Sequence, residues 1–298
     1  MLYSICLYLY FSWVHHMLKW LLHKLTGASE LQRICAAKDF GARRAHRLEN
    51  SLMHSRLGAL KRVLAEDDIN IEDSVHNIMA VKGIDPDENP QFTKDLRCCL
   101  QQICGYKQLI KELEQIRKQP YETKNNEHEE ILLKLWNLLM PDTKLESRIT
   151  KQWGDIGFQG DDPSTDFRGM GMLGLHNLVY FAEEHSTAAR HVLSRSNHPK
   201  IGYSYAVVGI NLTSMAYTFL SNGSLKFHFY NKVKGKPSVE HFHQVYSYLF
   251  FEFDKFWVAE KPRDVMDFSR IRDKFQEQLT VKLQDMDTVL ETDFSVSK

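Results

Sequence analysis

Apolar residues at Phe92, Leu96, Cys99, Ile103, Tyr106, Ile110 and Leu113 recur at spacings of 4, 3, 4, 3, 4 and 3. This is the period of one face of an α-helix, whereas a strand alternates every second residue. The same period returns at Ile201, Tyr205, Val208, Leu212, Met215 and Phe219. It returns again through Phe242, Val245, Tyr246, Leu249, Phe253, Phe256 and Trp257. No alternating run is long enough to seed a sheet. Apolar residues make up 43% of the 298 positions, enough for a sizeable core. The expected fold class is therefore all-α: a single large helical domain of about ten helices with an N-terminal hydrophobic or amphipathic helix.

The remaining elements follow from period and punctuation. Residues 43–65 read as one helix through Leu48, Leu52, Leu57, Leu60 and Leu64. Residues 26–42 read as a turn-rich connection. A short helix over 69–81 stops at Gly83, ahead of Pro86 and Pro90. Glu127–Met140 is helical, with Glu127, Glu129 and Glu130 in the first turn, where the helix dipole favours acids. Leu145–Trp153 reads as a short helix. Met172, Leu175, Leu178, Val179 and Ala182 form another stripe, Ser186–Ser194 a short helix, and Val265–Leu283 the last. Leu225–Tyr230 fits a short strand or a helical turn.

Net charge is zero, but residues 1–62 carry ten Lys or Arg against three acids, Glu30, Asp39 and Glu49. This basic excess adjoins the most apolar part of the chain, Leu2–Leu25, which suits an anionic membrane surface better than nucleic acid. No basic groove interleaved with aromatics occurs elsewhere, so nucleic acid is not an expected partner. The uncharged part, residues 1–14, is short of the roughly 20 residues needed to span a bilayer. A basic leader and a small-residue cleavage site are absent. Met17, Leu18, Leu21, Leu22 and Leu25 share a face, leaving three readings: an interfacial helix, a span, or a helix docked on the core. Cys6, Cys35, Cys98, Cys99 and Cys104 are odd in number and contain no CxxC, which fits a reduced, intracellular setting.

Six of the fifteen Gly fall between Trp153 and Gly174, in WGDIGFQGDDPSTDFRGMGMLG. This stretch also carries Asp155, Asp161, Asp162 and Asp166, and one Arg. Gly169, Gly171 and Gly174 satisfy the spacing of a dinucleotide loop but follow no strand, so the pattern carries no nucleotide. The glycines instead fit a helix that starts close to another backbone. The acids lack the ordered ligand spacing of a calcium loop, and His241 and His243 do not share a helical face. No metal and no cofactor is expected. No P-loop, nucleophile elbow or Cys–His arrangement occurs. Ser164 or Thr165 fits a helix cap; with Thr165 as the cap, Arg168 stands at the third helical position, where a cation is disfavoured. The acids Asp161, Asp162 and Asp166 would then pin its guanidinium. At this level Arg168 is either a loop-fixing ion pair or a cation held out for an anionic partner.

The stretch Trp153–Gly171, W-x-x-x-G-F-Q-G-x-D-P-x-T-D-F-R-G-x-G, resembles the signature of the ELMO domain. Lys19–Ile34, His128–Trp136, Asn197–Ser204 and Phe253–Trp257 resemble further segments of the short ELMO domain-containing proteins, so the likeness covers essentially the whole chain. It implies an organisation of a membrane-associating helix (1–25), a helical region (26–126), the ELMO domain (127–285) and a tail (286–298). It also implies GTPase-activating activity toward GTP-bound Arf and Arf-like small GTPases. The chain would regulate an enzyme, and hydrolysis would occur on the partner. Arg168 matches the family's proposed catalytic arginine, with Gln159, Asp161, Asp162, Thr165 and Asp166 as binding or orienting residues. Larger scaffolds sharing the domain act as adaptors in Rac activation, which leaves a non-catalytic GTPase-binding role as the alternative. The resemblance implies residence in the cytoplasm and at endomembranes, mitochondria or lipid droplets, through residues 1–25 and the basic residues up to 62.

Overall fold

Most of the helical stripes become helix, and no strand occurs among the described residues. The computed structural model describes residues 15–37, 41–65 and 70–296. The apolar opening to Val14, Cys6, and Lys38 with Asp39 lie outside them. The helices are α1 (His15–Thr26), α2 (Glu30–Ala36), α3 (Ala42–Met53), α4 (Gly58–Val63), α5 (Ile71–Lys82), α6 (Pro90–Lys118) and α7 (Asn126–Leu139). They continue as α8 (Gly171–Glu184), α9 (Ser186–Ser196), α10 (Tyr205–Ser221), α11 (Lys226–Lys232), α12 (Val239–Ala259) and α13 (Phe268–Lys282). Contacts divide the chain into two compact units, residues 1–105 with 230–236, and residues 106–229 with 237–298.

Several boundaries differ from expectation, each for a local reason. Residues 26–42 contain α2, nucleated by a capping box in which Ser29 accepts the Gln32 amide and Gln32 accepts the Ser29 amide. The expected helix over 43–65 is interrupted after Met53. His54 Nδ1 lies 2.9 Å from the Asn50 carbonyl, and the chain re-enters a helix only at Gly58. The stop at Gly83 is as expected, and Pro90 then begins α6, as suits a residue with no amide to satisfy. Leu145–Trp153 is not a helix. The Trp153 indole N–H donates to the Arg148 carbonyl at 3.0 Å, and Gln152 Oε1 accepts the Glu146 amide at 2.7 Å. A six-residue 3₁₀ turn, Lys151–Ile156, takes over its last three residues instead. Leu225–Tyr230 resolves as helical, within and just before α11.

In the unit of residues 1–105 and 230–236, α6 carries Phe92, Leu96 and Cys99 inward, all buried. Gln102 Nε2 donates to the Tyr230 carbonyl at 3.0 Å, and Arg44 pairs with Asp95 at 2.8 Å. Burial pushes the Cys35 thiol up to about 12, and the nearby Asp95 adds to the shift. Cys35, Cys98, Cys99 and Cys104 are free thiols.

In the second unit α8 is the hub, packing against α7, α9, α10 and α12. It is apolar on nearly every face, as a helix with neighbours all round must be. Its one buried amide, Asn177, joins three helices. His243 Nδ1 on α12 lies 2.6 Å from Asn177 Oδ1, Asn177 Nδ2 donates to Thr213 on α10, and Thr213 donates to the Gly209 carbonyl. Because Nδ2 is spent on Thr213, Oδ1 must accept, and His243 is protonated at Nδ1. Segments 197–204 and 253–257 meet in the same unit. Trp257 Nε1 donates to the Ile201 carbonyl at 2.7 Å, and the Tyr203 hydroxyl donates to buried Asp254 at 2.8 Å.

Burial, with the neighbouring His176 adding to it, drives His243 down to about 4 from an ordinary 6.5. Between those values the unfolded chain binds a proton that the folded chain does not, so stability rises with pH there. Unfolding free energy is expected to be flat above about pH 6.5 and to fall by a few kcal/mol as the pH drops toward about 4. Urea titrations across that range check this. His243→Gln, which keeps a donor for Asn177 but cannot titrate, should flatten most of the slope.

Candidate functional site

The loop before α8 is built on a file of aromatic rings. Trp153 is fully buried and meets Trp136 edge-on at 5.5 Å between centroids and Phe158 at 5.8 Å. Phe158 meets Phe167 at 5.6 Å, and Phe167 stacks on Tyr121 at 5.6 Å. Each such pair contributes about 1 kcal/mol beyond the area it buries. Both tryptophans satisfy their indole N–H on backbone carbonyls, Trp136 on Thr143 at 2.8 Å and Trp153 on Arg148 at 3.0 Å. Buried His128 accepts the Glu122 amide at 3.0 Å and thereby fixes the turn between α6 and α7.

Two glycines permit backbone contact. Gly157, at φ 80°, ends the Lys151–Ile156 turn, and a Cβ there would stand 2.7 Å from the Ser204 carbonyl carbon and closer still to the Tyr205 amide nitrogen. Gly171, at φ 51°, opens α8 against the end of α6, where a Cβ would collide with the carbonyls of Arg117 and Gln119. The Met172 amide donates to the Gln119 carbonyl at 2.9 Å, and Arg117 Nη1 reaches the Gly169 carbonyl at 3.4 Å. The unspent carbonyls at the end of α6 thus meet the unspent amides at the start of α8. Arg117 is itself held by Glu114 at 2.7 Å.

Between these fixed ends runs a 3₁₀ turn, Pro163–Arg168. Its cap is Asp162, whose carboxylate takes the Ser164 amide at 3.0 Å and the Arg148 guanidinium at 2.9 Å. Burial pushes the Asp162 carboxyl up, but the Ser164 amide and Arg148 outweigh it and hold the acid below its ordinary value. Asp166 turns back to accept the Gln159 amide at 2.7 Å. Burial raises Asp166, against the Gln159 amide and the charge of Arg168.

The expectation that Ser164 or Thr165 caps a helix, with Arg168 at its third position under a Thr165 cap, is overturned. Pro163 pre-sets the first position after Asp162, and Arg168 closes the turn, at the end where a cation is favoured. Nor do the acids grip it. Asp162 is bonded to Arg148 and Asp166 to the Gln159 amide, while Arg168 Nε donates to the Thr165 carbonyl at 2.8 Å. Among the described residues its terminal Nη groups make no hydrogen bond or ion pair, and the residue is exposed. Gln159, Asp161 and Thr165 are exposed too, so the structure places Gln159, Asp161, Thr165 and Arg168 on the surface and turns Asp162 and Asp166 inward as supports. An open groove beside Arg168 is lined by Ser164, Thr165 and the 121–124 turn, including Lys124. Arg148, the partner of Asp162, and Lys124 were not marked by the sequence, because neither lies in a periodic pattern or a local cap. Among the described residues no group of His, Cys, Asp or Glu is placed to hold a metal ion.

A model of the ELMO/CED-12 family matches residues 111–272. ELMO domain-containing protein 2 of Bos taurus is 54% identical over 273 residues, covering 92% of this chain and 93% of its own. ELMO domain-containing protein 1 of Pongo abelii is 48% identical over 315 aligned positions, covering 100% and 97%. ELMO domain-containing protein B of Dictyostelium discoideum is 34% identical over 267 residues, covering 88% and 92%.

The junction at Gly171 makes a sharp contrast with Gly160, which also has positive φ but has nothing within 4 Å of an added Cβ. Gly160→Ala should cost about 1–2 kcal/mol, the backbone cost alone. Gly171→Ala carries that cost plus a collision with two carbonyls, so it should lower the melting temperature by several degrees more. Differential scanning calorimetry of the two variants side by side decides it.

Proposed function

The chain belongs to the ELMO/CED-12 family, and from that premise we propose that it stimulates GTP hydrolysis by Arf and Arf-like small GTPases, with Arg168 as an arginine supplied in trans. The observation that carries this reading is the state of the Arg168 side chain. Its Nε is tied to the Thr165 carbonyl, which sets the direction of the guanidinium, while both Nη groups are unspent. A surface ion pair would have spent them. Phosphoryl transfer needs little covalent chemistry from a partner protein. It needs positive charge placed against the oxygens of the transferring phosphoryl group, on a support that does not reorganise. A planar guanidinium suits two of those oxygens at once.

In this reading the other residues divide by exposure. Gln159, Asp161 and Thr165 meet the partner's surface loops. Asp162 and Asp166 act one step back, holding the turn that presents Arg168. The adaptor alternative uses the same face without accelerating hydrolysis. It predicts that binding of the GTP-loaded partner is the whole activity.

A second reading concerns the other unit, which we infer to face a membrane. Met17, Trp20 and Leu25 of α1 are 65%, 61% and 73% exposed, with Leu18 and Leu21 beside them. No helix among the described residues is long and apolar enough to cross a bilayer, so α1 would lie on one. The cytoplasm-facing surfaces of endomembranes, mitochondria and lipid droplets belong to this reading.

Single-turnover hydrolysis by GTP-loaded Arf and Arf-like proteins separates the catalytic role from the adaptor role. Arg168→Lys should remove nearly all of an acceleration expected at about 10³- to 10⁵-fold, since an ammonium cannot offer the fork. Its melting temperature should stay within a degree or two, because the only bond lost is one exposed contact to Thr165. Full activity in the Lys variant would return Arg168 to a structural role.

A further inference from the structure

The unit of residues 1–105 and 230–236 holds a half-open cavity of about 430 Å³. It lies between α1, the start of α2, the end of α3, the turn before α4 and the end of α5. Among the described residues its charged lining is one-sided: Lys19, Arg33, Arg56 and Lys82 against a single acid, Glu30. Glu30 is already occupied, by Lys19 at 2.7 Å and by the Ser51 hydroxyl at 2.7 Å. Arg33 gives one Nη to the Ala28 carbonyl. Among the described residues Arg56 and Lys82 make neither a hydrogen bond nor an ion pair. Lys82 is half-buried, and burial pushes its ammonium below the ordinary value, with Glu30 opposing and Lys19 adding to the shift. A partly desolvated ammonium without an acceptor beside other cations costs free energy that only an anion would recover.

The rim of this cavity is apolar. Trp20, Leu57 and Val81 line it and are 61%, 44% and 41% exposed. Trp20 shares α1 with exposed Met17, Leu18, Leu21 and Leu25. A soluble anion would neutralise the floor and leave this rim in water. An anionic lipid answers both features at once, because its headgroup meets the cations while the rim enters the interfacial region.

We propose that this cavity binds the phosphorylated headgroup of an anionic lipid, a polyphosphorylated inositol lipid by its charge density, with Arg56 and Lys82 as its phosphate contacts. Each phosphate monoester carries close to two negative charges and several acceptor oxygens. Arg56 supplies a fork and Lys82 a point charge. Trp20, Leu57 and Val81 set the depth at which the headgroup is met. The proposal rests on the reading of α1 as a membrane-facing helix and adds a ligand to it.

The test is flotation of the full chain with three sets of vesicles: phosphatidylcholine alone, phosphatidylcholine with phosphatidylserine, and phosphatidylcholine with phosphatidylinositol 4,5-bisphosphate at matched net charge. Binding is expected to favour the inositol lipid over phosphatidylserine by at least ten-fold. Each lost cation near an anionic membrane surface is worth about five-fold in partitioning, so Arg56→Gln with Lys82→Gln should weaken inositol-lipid binding by more than the roughly 25-fold that two generic surface cations cost. On phosphatidylserine that pair should lose no more than Lys61→Gln with Arg62→Gln loses there. Lys61→Gln with Arg62→Gln removes two exposed cations that do not line the cavity, and should leave the preference intact. Trp20→Ser with Leu25→Ser should reduce binding to both anionic vesicles. Equal binding to the two anionic lipids at matched charge, or an equal loss in the Lys61/Arg62 pair, overturns the headgroup site while sparing the membrane-facing reading. Absence of wild-type flotation with every vesicle overturns both. Soluble inositol trisphosphate binding as tightly as the lipid, with no gain from the bilayer, overturns the lipid as its source. Arg168-dependent GTP hydrolysis measured without vesicles should be the same in all variants, which also reports that each is folded.

Discussion

The hydrogen bond from the Met172 amide to the Gln119 carbonyl, with Gly171 pressed against the same helix end, is the contact that orients everything around Arg168. A helix C-terminus has carbonyls to spare and a helix N-terminus has amides to spare. Here α6 and α8 satisfy each other. The union demands a residue with no Cβ and positive φ, and only glycine offers both at no cost. Arg168 lies three residues before that junction. The reach of its side chain is therefore set by the end of a 29-residue helix rather than by a free loop.

The rest of the loop is explained by what it must not do. A stretch this rich in glycine and aspartate would wander unless its ends and middle were fastened. The rings from Trp136 to Tyr121 fasten the middle through Phe158 and Phe167, both buried. The Asp162–Arg148 bond and the Asp166–Gln159 bond fasten the turn at either side of its apex. Two of the loop's acids are consumed in this way, which keeps them from neutralising the arginine beside them. The family signature around Trp153 to Gly171 is thus mostly a specification for a mount. Its exposed members, Gln159, Asp161, Thr165 and Arg168, are what the mount presents.

Much of this was legible in the chain. The 4, 3, 4, 3 stripes of α6, α10 and α12 translate directly into buried faces, because burial repeats with the helical turn whatever the partner is. Gly171 as a close-approach residue was also legible, since glycines that serve no nucleotide must serve backbone. Other features were not. The start of the helix after the loop was misplaced because Ser164, Thr165 and Asp162 are all competent caps by composition, and only the fold decides which side chain turns back. The Arg148–Asp162 pair spans fourteen residues with no regular element between them, so no periodicity could join them. Leu145–Trp153 looked helical by its apolar ends, but the Trp153 indole competes for the Arg148 carbonyl, and the aromatic file decides the outcome. At this segment local propensity lost because a buried side chain needed a backbone acceptor.

The placement of Arg168 also bears on what kind of partner it can tolerate. In water two unspent Nη groups cost nothing, since solvent satisfies them. On docking, any partner that covers them must replace that solvent, and each donor left without an acceptor costs about 1–3 kcal/mol. A flat or apolar protein surface would therefore be rejected at this point, while a cluster of anionic oxygens would be accepted. The oxygens of a phosphoryl group in transfer carry more charge toward such donors than most surface acceptors do, so the guanidinium favours them most. In the proposed role, an exposed arginine held by its Nε alone would select its partner through desolvation and would accelerate that partner's chemistry through the same two hydrogen-bonding groups. Binding and catalysis would then part only if the partner's phosphate lay beyond the reach of a side chain that the Gly171 junction has already fixed.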